Sequence, residues 1–234
     1  MRHPAAAIGF SQGEFTAATV VESIKYPDVL ALVYKLELLL CSDSIIQKGA
    51  MVRVIGLSRE ILKECCMQVD PQGEDVSLSI TYTEDQNVIS GDNDKIIQVS
   101  NLAKVRGARW VIRLNSIGGF HSPLCRHILN KSDKIFNPIH FNDAKFSFFS
   151  CVDGEETMEG NRIKKKLSKQ ITLPILWDGV IREQKKKGHT CILELGAGCT
   201  ISGNTRIIDS DIECRWINDM TDFRKMIHVL EKSV

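Results

Sequence analysis

The sequence predicts an α/β protein, in which a core with a parallel β-sheet carries an inserted subdomain. Two observations predict this fold. Short apolar segments run into glycine-rich turns and then into helical segments, as in parallel α/β cores. One central stretch instead shows strand and helix patterns in the order β-α-β-β-α-β. We place the core at residues 1–48 and 116–234 and the subdomain at residues 49–115.

The first part of the core reads as a strand, a sharp turn and two helices. The small apolar residues Ala5–Ile8 predict the strand, and Glu14–Ile24 predicts the first helix. Pro27 is expected to break the pattern, and Asp28–Leu40 predicts a second helix. Because a parallel strand normally has neighbours and a preceding helix, a strand this close to Met1 leads us to expect that a front segment is missing.

The subdomain is predicted from its alternation of strand and helix signals. Ser58 is a suitable N-cap for one helix, and Asp92 or Asn93 can cap the next. The β-α-β-β-α-β order is typical of a ferredoxin-like unit. Its predicted elements are the strand Ala50–Gly56, the helix Arg59–Gln68, the strands Val76–Thr81 and Asn87–Ser90, a helix ending near Val105, and the strand Arg109–Leu114.

The core then resumes with alternating helices and strands. A proline and several glycines punctuate this part of the chain and separate the elements. The predicted elements are the helix Pro123–Asp133, the strand Ala144–Val152, the helices Asn161–Ile171 and Leu176–Lys187, and the buried strand Cys191–Leu195.

Composition and charge exclude several functional classes. The 234 residues are 43% hydrophobic and 25% charged, which is ordinary for a folded domain. The net charge of +1 gives no general attraction to nucleic acid or to an anionic membrane, so we expect neither partner. The chain has no apolar run of transmembrane length. None of the eight cysteines forms a C-x-x-C pair, and we expect no bound metal.

The turn after the first strand has the pattern G-x-S-x-G. It is formed by Gly9-Phe10-Ser11-Gln12-Gly13, and it lies between a strand and a helix, as a nucleophile elbow does. Both glycines are expected to let the backbone turn tightly, and the N-terminus of the next helix favours developing negative charge. The pattern therefore predicts Ser11 as a nucleophile. The alternative is a tight turn with an incidental serine.

A serine nucleophile needs a base within hydrogen-bonding distance. Of the six histidines, His121 follows Gly118-Gly119-Phe120 and precedes Ser122-Pro123, which indicates a loop at the end of a strand. Catalytic groups gather in such loops. From the residues alone, His121 is either this base or a structural hydrogen-bonding group.

Six sequence blocks follow one another in a fixed order over nearly the whole chain. The blocks are Gly9–Phe15, Gly49–Leu57, Val88–Gly91, Gly118–Leu124, the set Gln170, Pro174 and Trp177, and Glu194–Gly198. Together they resemble the acyltransferase family that includes malonyl-CoA:acyl carrier protein transacylase. The block around Ser11 is similar to the family's nucleophile signature, and the block around His121 to its catalytic-histidine signature.

The resemblance implies an acyltransferase core of the α/β-hydrolase-like kind and assigns roles to residues. Ser11 would attack the thioester of an acyl-CoA, with His121 as its base. The backbone carbonyl of Gln170 would orient the histidine, and the backbone N–H of Gln12 would supply one oxyanion donor. The acyl group, malonyl by family default, would pass to an acyl carrier protein in fatty acid or polyketide synthesis. No bound cofactor is implied.

The resemblance also implies an acyl pocket formed by Phe10, Leu36 and Phe120. Leu36 stands where the family has the arginine that binds the malonyl carboxylate. An unpaired carboxylate in a dry pocket costs several kcal/mol, so this substitution favours a neutral acyl group or simple hydrolysis of thioesters. Leu36 as ordinary helix core is the other interpretation.

Further departures concern the front of the chain and the site. The family's F-x-G-Q-G segment, which precedes the elbow, is absent, and Ile80 and Cys151 stand where the family has asparagines. A catalytically impaired member of the family is therefore a third hypothesis beside a transferase and a hydrolase. Phe10, before the serine, resembles mitochondrial members of the family. It predicts the mitochondrial matrix, with the cytoplasm as the alternative.

Overall fold

A computed structural model describes residues 4–232 of the chain, with side chains described as far as residue 228. It shows an α/β protein that divides into two compact units, Met1–Val180 and Ile181–Val234. The strands are β1 (Ala6–Ile8), β2 (Gly49–Ile55), β3 (Val76–Thr81), β4 (Gln86–Asp92), β5 (Trp110–Arg113), β6 (Ser147–Phe149), β7 (Glu156–Thr157), β8 (Ile175–Leu176), β9 (Cys191–Leu195) and β10 (Glu213–Ile217).

Helices alternate with these strands along the chain. Besides the α-helices, the described residues form two 3₁₀ turns, Pro123–Ile128 and Gln170–Thr172. The α-helices are α1 (Gly13–Val20), α2 (Tyr26–Ser42), α3 (Ser44–Gln47), α4 (Arg59–Val69), α5 (Asn93–Val105), α6 (Leu129–Phe136), α7 (Gly160–Lys169), α8 (Trp177–Lys186), α9 (Thr200–Ile208) and α10 (Met220–Lys232).

The sheet that carries the start of the chain is formed by β1, β6 and β7. β1 lies parallel to β6, with Ile8 opposite Phe149, and β7 is antiparallel to β6. Helices α1, α2, α6 and α7 bury their apolar faces in one core, which contains Phe15, Leu32, Phe136 and Phe148. Each such side chain contributes about 1.5–3 kcal/mol on full burial. This core therefore fixes the turn between β1 and α1.

The second sheet has the strand order β5-β2-β4-β3-β8. From β2 to β5 the elements follow the predicted order β-α-β-β-α-β. Apolar side chains of α4 and α5, including Leu62 and Ile96, pack with those of the strands in a second core. β8 joins this sheet parallel to β3. The predicted bounds of the core, residues 1–48 and 116–234, and of the subdomain, residues 49–115, stay a prediction. Residues 1–3 and 233–234 of the predicted core lie outside the described residues.

Three local expectations were wrong in detail. Pro27 lies in the first turn of α2, where its missing N–H leaves no hydrogen bond unmade. The strand predicted at Ala144–Val152 is limited to β6, because the backbone N–H groups of Ala144 and Lys145 bond to Met158 and Val21 outside the ladder. The helix predicted at Pro123–Asp133 is a 3₁₀ turn followed by α6.

The second unit is a small β-α-β arrangement followed by a helix. β9 and β10 pair in parallel over five residues, from Cys191 opposite Glu213 to Leu195 opposite Ile217. α9 connects the two strands. At the N-terminus of α9, the backbone N–H groups of Ile201 and Ser202 donate hydrogen bonds to the carboxylate of Glu194. Among the described helices, none is both long and apolar enough to cross a membrane.

An ion pair ties helix α4 to the start of helix α8. Arg59 pairs with Asp178, whose other carboxylate oxygen accepts a hydrogen bond of 2.7 Å from Thr81. Burial alone would raise the pKa of Asp178, but the hydrogen bonds from Arg59 and Thr81 outweigh it and hold the pKa below the usual value of Asp. The Asp178 side chain is only 9% exposed, so it depends on these partners.

Replacing Arg59 by Met should lower the free energy of unfolding by about 2 kcal/mol, because Asp178 loses its cation while staying buried. Urea unfolding at neutral pH measures this. The matched control is Arg162→Met, since Arg162 is 47% exposed and pairs with exposed acids. That change should cost less than about 1 kcal/mol. Equal losses for the two variants would contradict the interpretation of the buried pair.

Candidate active site

Ser11 lies at a strained turn between β1 and α1. Its φ of 53° is in the left-handed region, which a residue with a side chain adopts only when its surroundings hold it there. Gly9 is required at this turn, because a Cβ on Gly9 would lie 2.0 Å from the backbone nitrogen of Glu14. A Cβ on Gly13 would meet no described atom within 4 Å. The steric requirement for glycine is therefore seen at Gly9, and the expected role of Gly13 in the turn stays a prediction.

His121 lies beside Ser11, although the two residues are 110 positions apart in the chain. The Oγ atom of Ser11 and the Nε2 atom of His121 are 2.8 Å apart. His121 also has a left-handed φ, 55°, and it is only 3% exposed. The structure therefore brings the predicted nucleophile and the predicted base within hydrogen-bonding distance, each on a strained backbone.

Two carbonyl oxygens fix the tautomer of His121. The Nδ1 atom of the ring lies 3.0 Å from the backbone oxygen of Gln170 and 3.2 Å from that of Leu173. Because carbonyl oxygens only accept, Nδ1 must carry the proton and donate it. Nε2 is then free to accept the proton of the Ser11 hydroxyl. The predicted role of the Gln170 carbonyl agrees with this geometry.

The environment keeps His121 uncharged. Burial lowers the pKa of His121, and the hydrogen bonds to Gln170 and Leu173 offset that effect only in part. A histidine must be neutral to act as a base, so burial favours the reactive form near neutral pH.

Gln12 is placed where the predicted oxyanion donor should be. It is the N-cap residue of α1, so its backbone N–H belongs to the positive end of the helix dipole. Within the described part of the chain, this N–H has no hydrogen-bond acceptor. The Gln12 side chain is exposed and donates to Glu37 at 3.4 Å. Its role as an oxyanion donor stays a prediction.

Comparison with known proteins supports the resemblance. No family model matches the chain. Among curated proteins, the malonyl CoA-acyl carrier protein transacylase of Buchnera aphidicola is 31% identical over 202 residues, which are 86% of this chain and 64% of that protein. The transacylase of Bacillus subtilis is 27% identical over 224 residues, 96% of this chain and 71% of that protein.

Solved structures agree with these relatives. An acyl carrier protein S-malonyltransferase from Vibrio cholerae has a TM-score of 0.91 with 25% identity, over 97% of this chain and 74% of that one. The chain is related to the malonyl CoA-acyl carrier protein transacylases. A malonyl-transacylase solved in complex with a type II polyketide synthase acyl carrier protein has a TM-score of 0.90 with 24% identity, over 94% of this chain and 71% of that one. The predicted α/β fold is thereby confirmed.

A cavity of about 60 Å³ opens beside Ser11 in this relative of the transacylases. Its wall is mostly apolar, and Leu36 is part of it. Among the described residues that line it, none is Lys, Arg or His, and one is the acid Glu37. In the described part of the chain, no group of three or more His, Cys, Asp or Glu side chains could hold a metal ion.

The structure does not bring Phe10 and Phe120 to this cavity. Phe10 stacks on Tyr82, with ring centroids 5.5 Å apart, and packs edge-on against Trp177. Phe120 packs against an apolar cluster that includes Leu40 and Ile128, two residues of the cavity wall, but Phe120 itself does not line the cavity. Phe10 precedes Ser11 and Phe120 precedes His121 in the sequence, but adjacent side chains point in different directions at a sharp turn. Being next to a reacting residue therefore did not place either ring on the cavity wall. Only Leu36, of the three predicted pocket residues, lines this cavity.

Glu14 is a site residue that the sequence reasoning missed. It belongs to the first turn of α1 and is fully buried. Burial raises the pKa of Glu14 to about 7, although hydrogen bonds from Ser150 and Cys151 act in the opposite direction. The available signal was its position on the same helix face as the buried Ala17 and Ala18.

The stability of the protein should fall as the pH rises through the range in which Glu14 ionises. In the unfolded chain this carboxyl titrates near 4.5, and in the folded protein near 7. Between these values the folded state binds more protons, so the free energy of unfolding decreases with rising pH. We expect Glu14 to contribute a loss of about 3 kcal/mol.

Urea unfolding of the wild type and of Glu14→Gln, at matched pH values from 4.5 to 8, measures this contribution. The advantage of the wild type over the variant should shrink as the pH rises. A difference between the two proteins that is constant over this range would show that Glu14 does not titrate as described.

Proposed function

We propose that this protein transfers an acyl group from a coenzyme A thioester to the phosphopantetheine thiol of an acyl carrier protein, in fatty acid or polyketide synthesis. The observation that carries the proposal is the 2.8 Å contact between Ser11 Oγ and His121 Nε2, with Nδ1 held by backbone carbonyls. The named relatives, which are malonyl CoA-acyl carrier protein transacylases, support the same reaction. The chain spans 64% of one of them and 71% of the other.

In the proposed reaction, Ser11 Oγ attacks the thioester carbonyl carbon while its proton passes to His121 Nε2. The negative charge on the carbonyl oxygen is stabilised by the N–H of Gln12 and the N-terminus of α1. Coenzyme A leaves as its thiol with the proton from His121, and the acyl group stays on Ser11 as an ester. The thiol of the carrier protein then attacks the ester and restores Ser11. This scheme uses no bound cofactor.

The relatives and the cavity favour different acyl groups. Malonyl is the acyl group in the names of the relatives. The cavity beside Ser11 favours a neutral acyl group instead. Leu36 and other apolar side chains form most of its wall, and the acid Glu37 would repel the carboxylate of a malonyl group. The same observation favours thioester hydrolysis as a second candidate, because a poorly held acyl group leaves the ester open to water.

The proposed setting is the mitochondrial matrix, with the cytoplasm as the alternative. Its support is the phenylalanine at position 10, before Ser11, which resembles mitochondrial members of the acyltransferase family.

Incubation with acetyl-CoA or malonyl-CoA should add one acyl group to Ser11. Intact-mass measurement, followed by peptide mapping, should find the adduct on the wild type and none on Ser11→Ala. Release of the adduct only after a carrier protein is added indicates a transferase, and release into water indicates a hydrolase. An adduct that persists in Ser11→Ala, or no adduct with either thioester, would reject the proposed chemistry.

Replacing Leu36 by Arg should shift the acyl preference towards malonyl. A guanidinium on the cavity wall can pair with the malonyl carboxylate through two hydrogen bonds. We expect the rate of acylation by malonyl-CoA relative to acetyl-CoA to rise by about tenfold or more, equivalent to about 1.4 kcal/mol. Leu36→Met is the control for altered packing and should leave the ratio unchanged. An unchanged ratio in Leu36→Arg would show that position 36 does not contact the acyl group.

A further inference from the structure

The buried carboxyl group of Glu14 accepts hydrogen bonds from two directions. Its Oε1 atom accepts from the backbone N–H of Cys151 at 2.6 Å. Its Oε2 atom accepts from the side-chain amide nitrogen of Gln170 at 3.1 Å, with the amide turned so that its nitrogen faces the carboxyl group. Glu14 does not line the cavity beside Ser11. Any effect of Glu14 on the site would therefore pass through the residues that it contacts.

Gln170 is the neighbour that joins both halves of the site. Its side-chain nitrogen also donates to the backbone oxygen of Ser11 at 3.0 Å. Its backbone oxygen accepts from Nδ1 of His121 at 3.0 Å. One residue thus holds the nucleophile's backbone with its side chain and the base with its main chain. A displacement of Gln170 would change the distance between Ser11 Oγ and His121 Nε2.

The site requires such a restraint because both reacting residues are strained. Ser11 and His121 have φ values of 53° and 55°, which persist only where surrounding contacts over-determine the backbone. Gln170 begins a short 3₁₀ turn, a type of structure with weak internal hydrogen bonds. Its position therefore depends on what its side chain contacts.

We propose that Glu14 is a positioning residue, which holds the side chain of Gln170 and through it sets the contact between Ser11 and His121. That this contact affects turnover rests on the proposed function. That Glu14 holds Gln170 and so sets the distance between Ser11 and His121 does not. In the alternative, the backbone carbonyl of Gln170 orients His121 and the side chain of Gln170 has no role. The proposal instead requires the side-chain contact between Gln170 and Glu14.

Two substitutions separate these possibilities. Glu14→Gln keeps an oxygen for the N–H of Cys151 but presents an NH₂ group to Gln170. Gln170 then either loses this link or rotates its amide and loses its hydrogen bond to the Ser11 carbonyl. Gln170→Met removes the side-chain amide and keeps the backbone carbonyl that accepts from His121. Both changes break the link between Glu14 and Gln170, and Gln170→Met also removes the hydrogen bond to the Ser11 carbonyl. Glu14→Gln should therefore add little further loss to Gln170→Met in the double variant. Gln184→Met, at a buried glutamine of the second compact unit, is the matched control.

The first readout is the rate at which a fluorophosphonate probe modifies Ser11, which requires the serine–histidine pair but no acyl-CoA. We expect each single variant to lower this rate by about tenfold to about a hundredfold, with little further loss in the double variant. Gln184→Met should react as the wild type does. The second readout is the ¹⁵N NMR signal of the His121 ring, which should show a loss of the fixed Nδ1–H tautomer in both single variants.

Wild-type rates in Glu14→Gln or in Gln170→Met, or losses that multiply in the double variant, would overturn the proposal. If Glu14→Gln does not fold, Glu14→Asp takes its place in both readouts, because it withdraws the carboxyl group from Gln170 and leaves the contact of Gln170 with Ser11 in place. Failure of the proposed function is a different result: the probe would label wild-type Ser11 normally, whereas acyl-CoA thioesters would give no adduct.

Discussion

The proposed chemistry depends on one contact that the whole fold has to assemble, the hydrogen bond between Ser11 and His121, whose residues are 110 positions apart. The parallel pairing of β1 with β6 and the packing of α1 fix the serine. His121 comes from a loop that follows β5, and the 3₁₀ turn at Gln170 supplies one of its two carbonyl acceptors. Three distant segments must therefore fold correctly before the chemistry is possible.

Burial has two consequences at this contact. It lowers the pKa of His121, which keeps the imidazole neutral and able to accept a proton. Burial also raises the pKa of Glu14, because ionising a buried carboxyl group costs free energy that its hydrogen bonds only partly offset. Under our proposal, the contact of Glu14 with Gln170 is the function of this buried carboxyl group.

Chemistry and acyl selection are carried by different parts of the site. In the proposed reaction, Ser11, His121 and the N-terminus of α1 carry out the acyl transfer, and none of them selects the acyl group. The proposed selection comes from the cavity wall around Leu36, because the polarity of the wall sets the cost of burying a charge. Under this proposal, a change at the wall alters the acyl preference and leaves the reaction unchanged.

The sequence by itself determined the α/β fold, the elbow at Ser11 and the choice of His121, because these follow from local patterns and from the order of motif blocks. It did not determine the bounds of β6. It also did not determine that Phe10 packs against Tyr82 or that Phe120 packs against the cluster containing Leu40 and Ile128. Nor did it reveal Glu14, whose partners at Cys151 and Gln170 are remote in the chain. Contacts between distant residues arise only when the segments pack, since a local pattern shows which face is buried but not what it is buried against.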